Sequence, residues 1–117
     1  KTSDAIDQVM VAGQDRKFLA ALIVPSEEYL NEFVKEHNIS YLDKGHLLEN
    51  IEVQELFHAE IQGLINAKNG FKPFERIFRF TLLSEPFEVG KELTHTLKVR
   101  RSVIAEKYAD ELQELFA

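Results

Sequence analysis

Two short apolar runs near the start of the chain constrain its fold more than any other feature of the sequence. Val9–Ala12 is followed by Gly13–Lys17, which carries the glycine and aspartate typical of a turn, and then by Phe18–Val24, which Pro25 ends. Two such runs joined by a link of this kind predict a β-hairpin. Because both runs are apolar on both faces, we expect the hairpin to be buried beneath other parts of the domain.

The segment after the hairpin has the periodicity of two amphipathic helices. Ser26 is a good N-cap for the first helix, and Asn38 is a plausible end. An irregular connector over residues 39–45 precedes Asn50, which can cap the second helix, and Asn69–Gly70 ends it. The apolar positions at helical spacing are Leu30, Phe33, Val34 and His37 in the first helix, and Ile51, Val53, Leu56, Phe57, Ile61, Leu64 and Ile65 in the second.

The second half of the chain predicts one more strand and one more helix. Ile77–Leu83 alternates, with Phe78, Phe80 and Leu82 on one face of the predicted strand. A polar segment follows. After it, apolar residues recur at helical spacing to the end of the chain and predict a single closing helix. These residues are Val103, Ile104, Tyr108, Leu112, Leu115 and Phe116.

This order of elements predicts an α/β (α+β) fold. We expect a two-layer sandwich in which helices cover a small three-stranded mixed sheet, made of the hairpin plus one crossover strand. The second and third strands are joined through helices, which favours a parallel pair. The length of 117 residues suits one domain over residues 1–117, since no repeat or second domain is visible.

Composition excludes several classes of function. The chain has 14 basic and 20 acidic residues and a net charge of -6, which argues against a nucleic-acid partner bound by overall charge. The absence of cysteine excludes disulfides and thiolate metal sites in this chain. The longest apolar run, Phe18–Val24, is far shorter than the roughly 20 residues of a transmembrane helix. We therefore expect no transmembrane segment.

The most informative stretch for function is Glu92–Arg101, between the last predicted strand and the last predicted helix. Lys98 lies just ahead of the helix start, where a lysine ammonium on its flexible stem could meet developing negative charge. Thr94 and Thr96 can donate hydrogen bonds to phosphate or carboxylate oxygens. Arg100 lies near a helix N-terminus, the unfavourable end for a cation, which weakly indicates an anionic partner. The alternative interpretation is a solvated basic helix start.

Other constellations in the sequence do not predict a site. The four histidines, His37, His46, His58 and His95, lack paired ligand spacing on a helix face, so no metal site is predicted. No phosphate-binding glycine motif and no nucleophile elbow occurs. The aromatic residues lie mostly on apolar stripes and favour a core position.

Four stretches together resemble the carboxy-terminal domain of adenylate-forming acyl-CoA synthetases, specifically the long-chain fatty acid–CoA ligases. The resemblance covers nearly the whole chain. The stretch around Lys98 is similar to the motif that bears the adenylation lysine in this family. The stretches are Ile6–Pro25, Phe74–Ile77 with Phe80 and Leu82–Leu83, Glu92–Arg101, and Lys107–Tyr108.

The resemblance implies that Lys98 is the catalytic lysine of the first half-reaction, in which a fatty acid and ATP form acyl-AMP and pyrophosphate. It further implies that the domain then rotates so that CoA can attack the adenylate. Substrate contacts from Thr94, Thr96 and Arg100 are expected around the lysine. ATP and Mg²⁺ would belong to the full-length enzyme, and the principal partner would be the large amino-terminal adenylation domain of the same chain, with fatty acid, ATP and CoA as substrates.

Some features depart from the family pattern or leave alternatives open. His95 replaces a residue that is usually proline in the family, so this loop is expected to be less stiff. The chain starts after the family's hinge, and without the large domain we expect the fragment alone to be inactive. The alternatives are a fatty acyl-AMP or acyl-carrier-protein ligase, and a free-standing non-catalytic interaction module. We expect a cytoplasmic protein, with peripheral membrane attachment of the full-length enzyme left open.

Overall fold

The sheet in the computed structural model, which describes residues 4–13, 19–64 and 77–116, has three strands. β1 (Ile6–Ala12) pairs antiparallel with β2 (Leu19–Pro25), and β2 pairs parallel with β3 (Ile77–Leu82). The strand order is β1-β2-β3, so β2 is central. The predicted hairpin and the predicted parallel crossover strand are both confirmed, although β1 begins three residues earlier than its apolar run.

Side chains of the central strand divide the core into two apolar clusters. Ala21 and Ile23 belong to the first cluster, whereas Ala20, Leu22 and Val24 belong to the second. Successive side chains of a strand point to opposite faces, so the two clusters lie on opposite faces of the sheet. This is why β2 is apolar at every position, as the prediction of a covered hairpin required.

Three helices cover the first face: α1 (Glu27–His37), α2 (Lys44–Leu48) and α3 (Ile51–Leu64). The predicted caps are present. The Ser26 hydroxyl accepts the Tyr29 N–H at 3.4 Å, and Asn38 ends α1 in the left-handed region with φ 53°. The Asn50 side chain accepts the N–H groups of Glu52 and Val53 at 2.8 and 3.3 Å, which satisfies two donors that a helix start leaves unpaired.

The apolar stripe predicted for α3 is confirmed in part. Val53 and Phe57 are fully buried and Ile61 nearly so, but Ile51 is 68% exposed, so its assignment to the stripe is wrong. The reason is geometric: two residues correspond to about 200° around a helix, so Ile51 lies opposite Val53. The side chain of Leu64, together with Ile65 and the predicted helix end at Asn69–Gly70, lies outside the described residues.

Two helices cover the second face: α4 (Arg101–Lys107) and α5 (Ala109–Leu115). The prediction of one closing helix is wrong, because the backbone leaves helical geometry at Tyr108, with φ -111° and ψ 32°. Ile104 and Leu115 are buried on either side of this break. The apolar spacing continues across it, which is why periodicity alone did not reveal two helices.

The predicted α+β fold with a small three-stranded mixed sheet is confirmed. Helices lie on both faces of the sheet, so the domain has three layers, one more than the two-layer sandwich that the sequence predicted. Among the described residues, no helix has the length and apolar character needed to cross a membrane.

Candidate functional site

The segment that connects β3 to α4 folds into a small hairpin against the second face of the sheet. The Arg100 N–H donates to the Glu92 carbonyl at 2.7 Å, Leu93 forms an antiparallel bridge with Val99, and the Thr94 N–H donates to the Lys98 carbonyl at 2.9 Å. Leu93 is buried in the second cluster and holds this hairpin on the core. We call residues 92–100 the lysine hairpin.

The tip of the lysine hairpin is exposed and conformationally unusual. Leu97 has φ 64°, its N–H donates to the Thr94 carbonyl at 2.9 Å, and its side chain is 66% exposed. A positive φ at a bulky residue is uncommon, and such positions concentrate at functional sites. The neighbouring His95 and Thr96 are also exposed.

Lys98 lies on the returning side of the hairpin, directly after Leu97. Its backbone N–H donates to the Thr94 hydroxyl at 3.0 Å, which fixes the start of the side chain. Lys98 is exposed, and its ammonium has no hydrogen bond or ion pair with any residue in the ranges 4–13, 19–64 and 77–116. Two nearby lysines, unlike Lys98, form ion pairs: Lys91 with Glu88 at 3.1 Å and Lys107 with Glu92 at 3.1 Å. Lys98 is therefore held at its base and available at its charged end.

The other three predicted site residues lie on the same hairpin, and part of their polar capacity is used within it. The hydroxyls of Thr94 and Thr96 are 3.1 Å apart, and the Arg100 guanidinium donates to the Lys91 carbonyl at 3.1 Å. These contacts shape the loop around Lys98. Contacts of Thr94, Thr96 and Arg100 with a substrate stay a prediction, as does the catalytic role of Lys98.

Glu92 is a buried acid that the sequence did not single out. Its side chain is 4% exposed; one carboxylate oxygen accepts the Glu88 N–H at 2.9 Å and the other accepts from the Lys107 ammonium at 3.1 Å. The Glu88 hydrogen bond is the largest cause that lowers the pKa of Glu92, with a further contribution from Lys107, while burial opposes both. The bond to Glu92 raises the pKa of Lys107. A charged pair 15 residues apart has no periodic signal in the sequence.

Contacts with the edge strand β1 also fix the segment between β3 and α4 and the start of α4. The Gln8 amide oxygen accepts the Phe87 N–H at 2.6 Å, and the Gln8 amide nitrogen donates to the Phe87 carbonyl at 3.2 Å. The Arg101 guanidinium donates to the Val11 carbonyl. Between β1 and the lysine hairpin lies a groove of about 440 Å³, lined by Ile6, Asp7, Gln8, Val9, Leu93, Leu97 and Val99.

The histidines do not form a metal site in the part of the chain that the structure describes. His37 lies 3.5 Å from Glu52, His46 accepts the Leu42 N–H at 3.1 Å, and His95 is exposed at the hairpin tip. No three His, Asp or Glu side chains among the described residues come together so that they could hold a metal ion.

Comparison with known proteins identifies the family. The whole chain, residues 1–117, matches the sequence model of the AMP-binding enzyme C-terminal domain. The chain belongs to this family. This match confirms the family and fold that the four sequence stretches predicted.

Individual AMP-binding relatives cover nearly all of this domain. It is 32% identical over 119 residues to long chain acyl-CoA synthetase 8 of Arabidopsis thaliana, with 99% of the chain and 16% of that protein aligned. It is 27% identical over 116 residues to a chloroplastic long-chain-fatty-acid–[acyl-carrier-protein] ligase of the same plant, with 98% of the chain and 14% of that protein aligned. The chain thus spans only about 15% of the length of the relatives it matches.

A solved structure agrees with the fold of this AMP-binding C-terminal domain. The adenylation domain of a carboxylate reductase from Mycobacterium chelonae superposes with a TM-score of 0.72 at 21% identity, covering 96% of this chain and 16% of that one. At this level of identity the likeness concerns the fold alone.

Proposed function

We propose that this domain supplies the adenylation lysine of an ATP-dependent long-chain fatty acid–CoA ligase, and that Lys98 is that lysine. The observation that carries the proposal is the exposed Lys98 ammonium, which has no partner among the described residues although the hairpin around it is held by hydrogen bonds. Membership of the AMP-binding C-terminal family and the long-chain acyl-CoA synthetase among the relatives support it.

The chemistry of the first half-reaction explains why a lysine is needed. A fatty carboxylate oxygen forms a bond to the α-phosphorus of ATP while the bond to the pyrophosphate oxygen breaks, giving acyl-AMP and pyrophosphate. Two anions have to approach each other, and negative charge spreads over the phosphoryl oxygens. An ammonium held near those oxygens lowers this cost, and removal of one such group typically reduces the rate on the order of 100- to 1000-fold.

The second half-reaction has different requirements. The CoA thiol attacks the acyl carbonyl and AMP leaves. No bond to phosphorus breaks in this step, so the negative charge that develops on the phosphoryl oxygens during adenylation does not develop here. We propose that the domain rotates between the two steps, which withdraws the lysine hairpin and presents another face. Thr94, Thr96 and Arg100 would shape the hairpin in the adenylation state and contact substrate oxygens there.

Other parts of the site would come from the large amino-terminal domain of the same chain. We assign Mg²⁺ and the ATP pocket to that domain. Among the described residues, no three His, Asp or Glu side chains come together so that they could hold a metal ion. Val89 and Leu97 are exposed apolar side chains on the segment that carries the lysine hairpin, the surface that we propose faces the large domain.

The acceptor of the acyl group defines a second candidate function. One relative is an acyl-carrier-protein ligase, which favours transfer to a carrier-protein thiol as the alternative to CoA. Both candidates require the same adenylation step from Lys98. Incubation of the full-length protein with acyl-adenylate and either CoA or holo-acyl carrier protein would separate them by the thioester formed.

The test of the proposal is Lys98→Ala in the full-length protein. We expect fatty-acid-dependent ATP–pyrophosphate exchange to fall at least 100-fold, while thioester formation from supplied acyl-adenylate continues at close to the parent rate. An equal loss in both half-reactions, or no loss of exchange, would reject the role assigned to Lys98. The separate 117-residue chain is expected to form no acyl-adenylate above a no-protein control.

A further inference from the structure

Glu92 and Lys107 are joined to the lysine hairpin, yet the proposed chemistry does not use either of them. Glu92 is the first residue of the hairpin, and its side chain is almost completely buried. Lys107 is the last residue of α4, and its side chain is 40% exposed. A buried carboxylate is costly unless it is paired and hydrogen-bonded, so the contacts that Glu92 makes are needed for the segment to fold in this way.

Contacts of Glu92 bring three parts of the chain together. Its carbonyl accepts the Arg100 N–H at 2.7 Å and so closes the base of the hairpin. One side-chain oxygen accepts the Glu88 N–H at 2.9 Å, and the other accepts from the Lys107 ammonium at 3.1 Å. The hairpin base is therefore attached both to the preceding turn and to α4.

The Lys107 ammonium also contacts a second acid. This ammonium lies 3.9 Å from the carboxylate of Glu85, near the point where the chain leaves β3, and 5.5 Å from the centre of the Tyr108 ring. α4 thus holds both ends of residues 85–92 through one side chain. Lys98 is only two residues from Arg100, whose N–H is bonded to Glu92, so a shift of the hairpin base would displace Lys98.

We infer that Glu92 and Lys107 form a positioning pair that sets where Lys98 stands relative to the body of the domain. The pair does not touch the reacting atoms. It acts through Lys98, and this inference rests on the proposed function of Lys98. A displacement of about 1 Å in a reacting constellation can cost on the order of 100-fold in rate, so loss of the pair is expected to slow adenylation by about 10- to 100-fold.

The experiment uses Glu92→Gln and Lys107→Gln in the full-length protein, with both half-reactions measured. Glu92→Gln keeps the side-chain volume and an oxygen for the Glu88 N–H, but it removes the charge that holds Lys107. We expect a lower kcat for adenylation with little change in the KM for ATP, and an unchanged rate of thioester formation from supplied acyl-adenylate. Lys107→Arg retains the cation and should restore most of the adenylation rate.

A matched control is available on the other face of the domain. Glu27 and Lys44 form an exposed ion pair at 2.6 Å, far from the hairpin in sequence and on the face that α1 and α2 cover. Glu27→Gln should leave both half-reactions unchanged. Thermal unfolding of each variant reports whether the fold is intact. If Glu92→Gln is unstable, Lys107→Gln, at a position that is 40% exposed, carries the test with Lys107→Arg as its control.

Introducing Glu92→Gln into a Lys98→Ala background separates positioning from general structural damage. If Glu92 acts only through Lys98, the double variant has the same residual adenylation rate as Lys98→Ala alone. A further loss in the double variant, an equal loss in both half-reactions, or no effect of Glu92→Gln in the parent would overturn the inference. If Lys98→Ala abolishes adenylation but Glu92→Gln does not reduce it, only the inference fails; if Lys98→Ala has no effect, the proposed function itself fails.

Discussion

Replacing Gln8 with alanine tests whether the segment before the lysine hairpin is fixed by a single side chain of β1. Gln8 satisfies both the N–H and the carbonyl of Phe87, at 2.6 and 3.2 Å. Phe87 is 4% exposed and belongs to the second apolar cluster. Gln8→Ala therefore removes the partners of two main-chain groups beside a buried residue.

The magnitude follows from the two hydrogen bonds. Each contributes about 1 kcal/mol net, so we expect the free energy of unfolding to fall by about 2 kcal/mol. The loss would approach about 6 kcal/mol only if both Phe87 groups stayed dry, at up to about 3 kcal/mol each. Pro86 and Glu88 on either side of Phe87 are exposed, so water can reach the freed groups and the lower figure is expected.

Urea unfolding followed by circular dichroism measures this loss. With an m-value of about 1.5 kcal/mol per molar, 2 kcal/mol lowers the midpoint by roughly 1.3 M. Hydrogen exchange at the Phe87 amide should accelerate, because its acceptor is gone. Gln113→Ala, at an exposed position of α5, is the control and should stay within about 0.5 kcal/mol of the parent. A Gln8→Ala midpoint equal to that of the control would refute the reasoning.

Three further predictions concern the core, a helix end and pH. Phe57→Ala removes a fully buried ring from the first cluster. It should lower the free energy of unfolding by about 3–5 kcal/mol in the same urea assay. Phe57→Leu should lower it by less than about 1.5 kcal/mol if the core repacks. Asn38 has φ 53°, so Asn38→Ala should cost about 1 kcal/mol by thermal unfolding while Asn38→Gly should be nearly neutral, and equal losses would contradict the left-handed cap. The folded-state pKa of Glu92 is lowered from its ordinary 4.5, so the stability that the ionised carboxylate contributes is present above pH 4.5 and is lost as pH falls through the folded-state value. Glu92→Gln should therefore reduce the loss of folding stability at acid pH, and an unchanged acid dependence would contradict this prediction.

Elements with strong local signals were predictable from the sequence. The doubly apolar runs predicted the covered hairpin because a central strand buries both faces. Ser26, Asn38 and Asn50 predicted three helix ends because their side chains or backbone geometry satisfy specific end groups. These features depend on neighbours within a few residues, which a single sequence contains.

Features that depend on distant contacts were missed. The break at Tyr108 preserves the apolar face, so the helical period passes through it without interruption. The exposure of Ile51 is a different kind of error, since Ile51 lies about 200° around α3 from Val53 and helix geometry alone places it on the opposite side. At the site, the sequence located Lys98, but the anchors Glu92 and Gln8 hold partners 15 and 79 residues away. No local pattern encodes such pairs.

The most direct test of the central claim is single-turnover formation of acyl-adenylate by the full-length protein carrying Lys98→Met, compared with Lys91→Met. Both changes remove an exposed lysine charge from the same connecting segment, but Lys91 is paired with Glu88 and Lys98 has no partner among the described residues. The account predicts a loss of at least about 100-fold for Lys98→Met and less than about threefold for Lys91→Met. Equal rates for the two variants, or a Lys98→Met rate close to that of the parent, would contradict it.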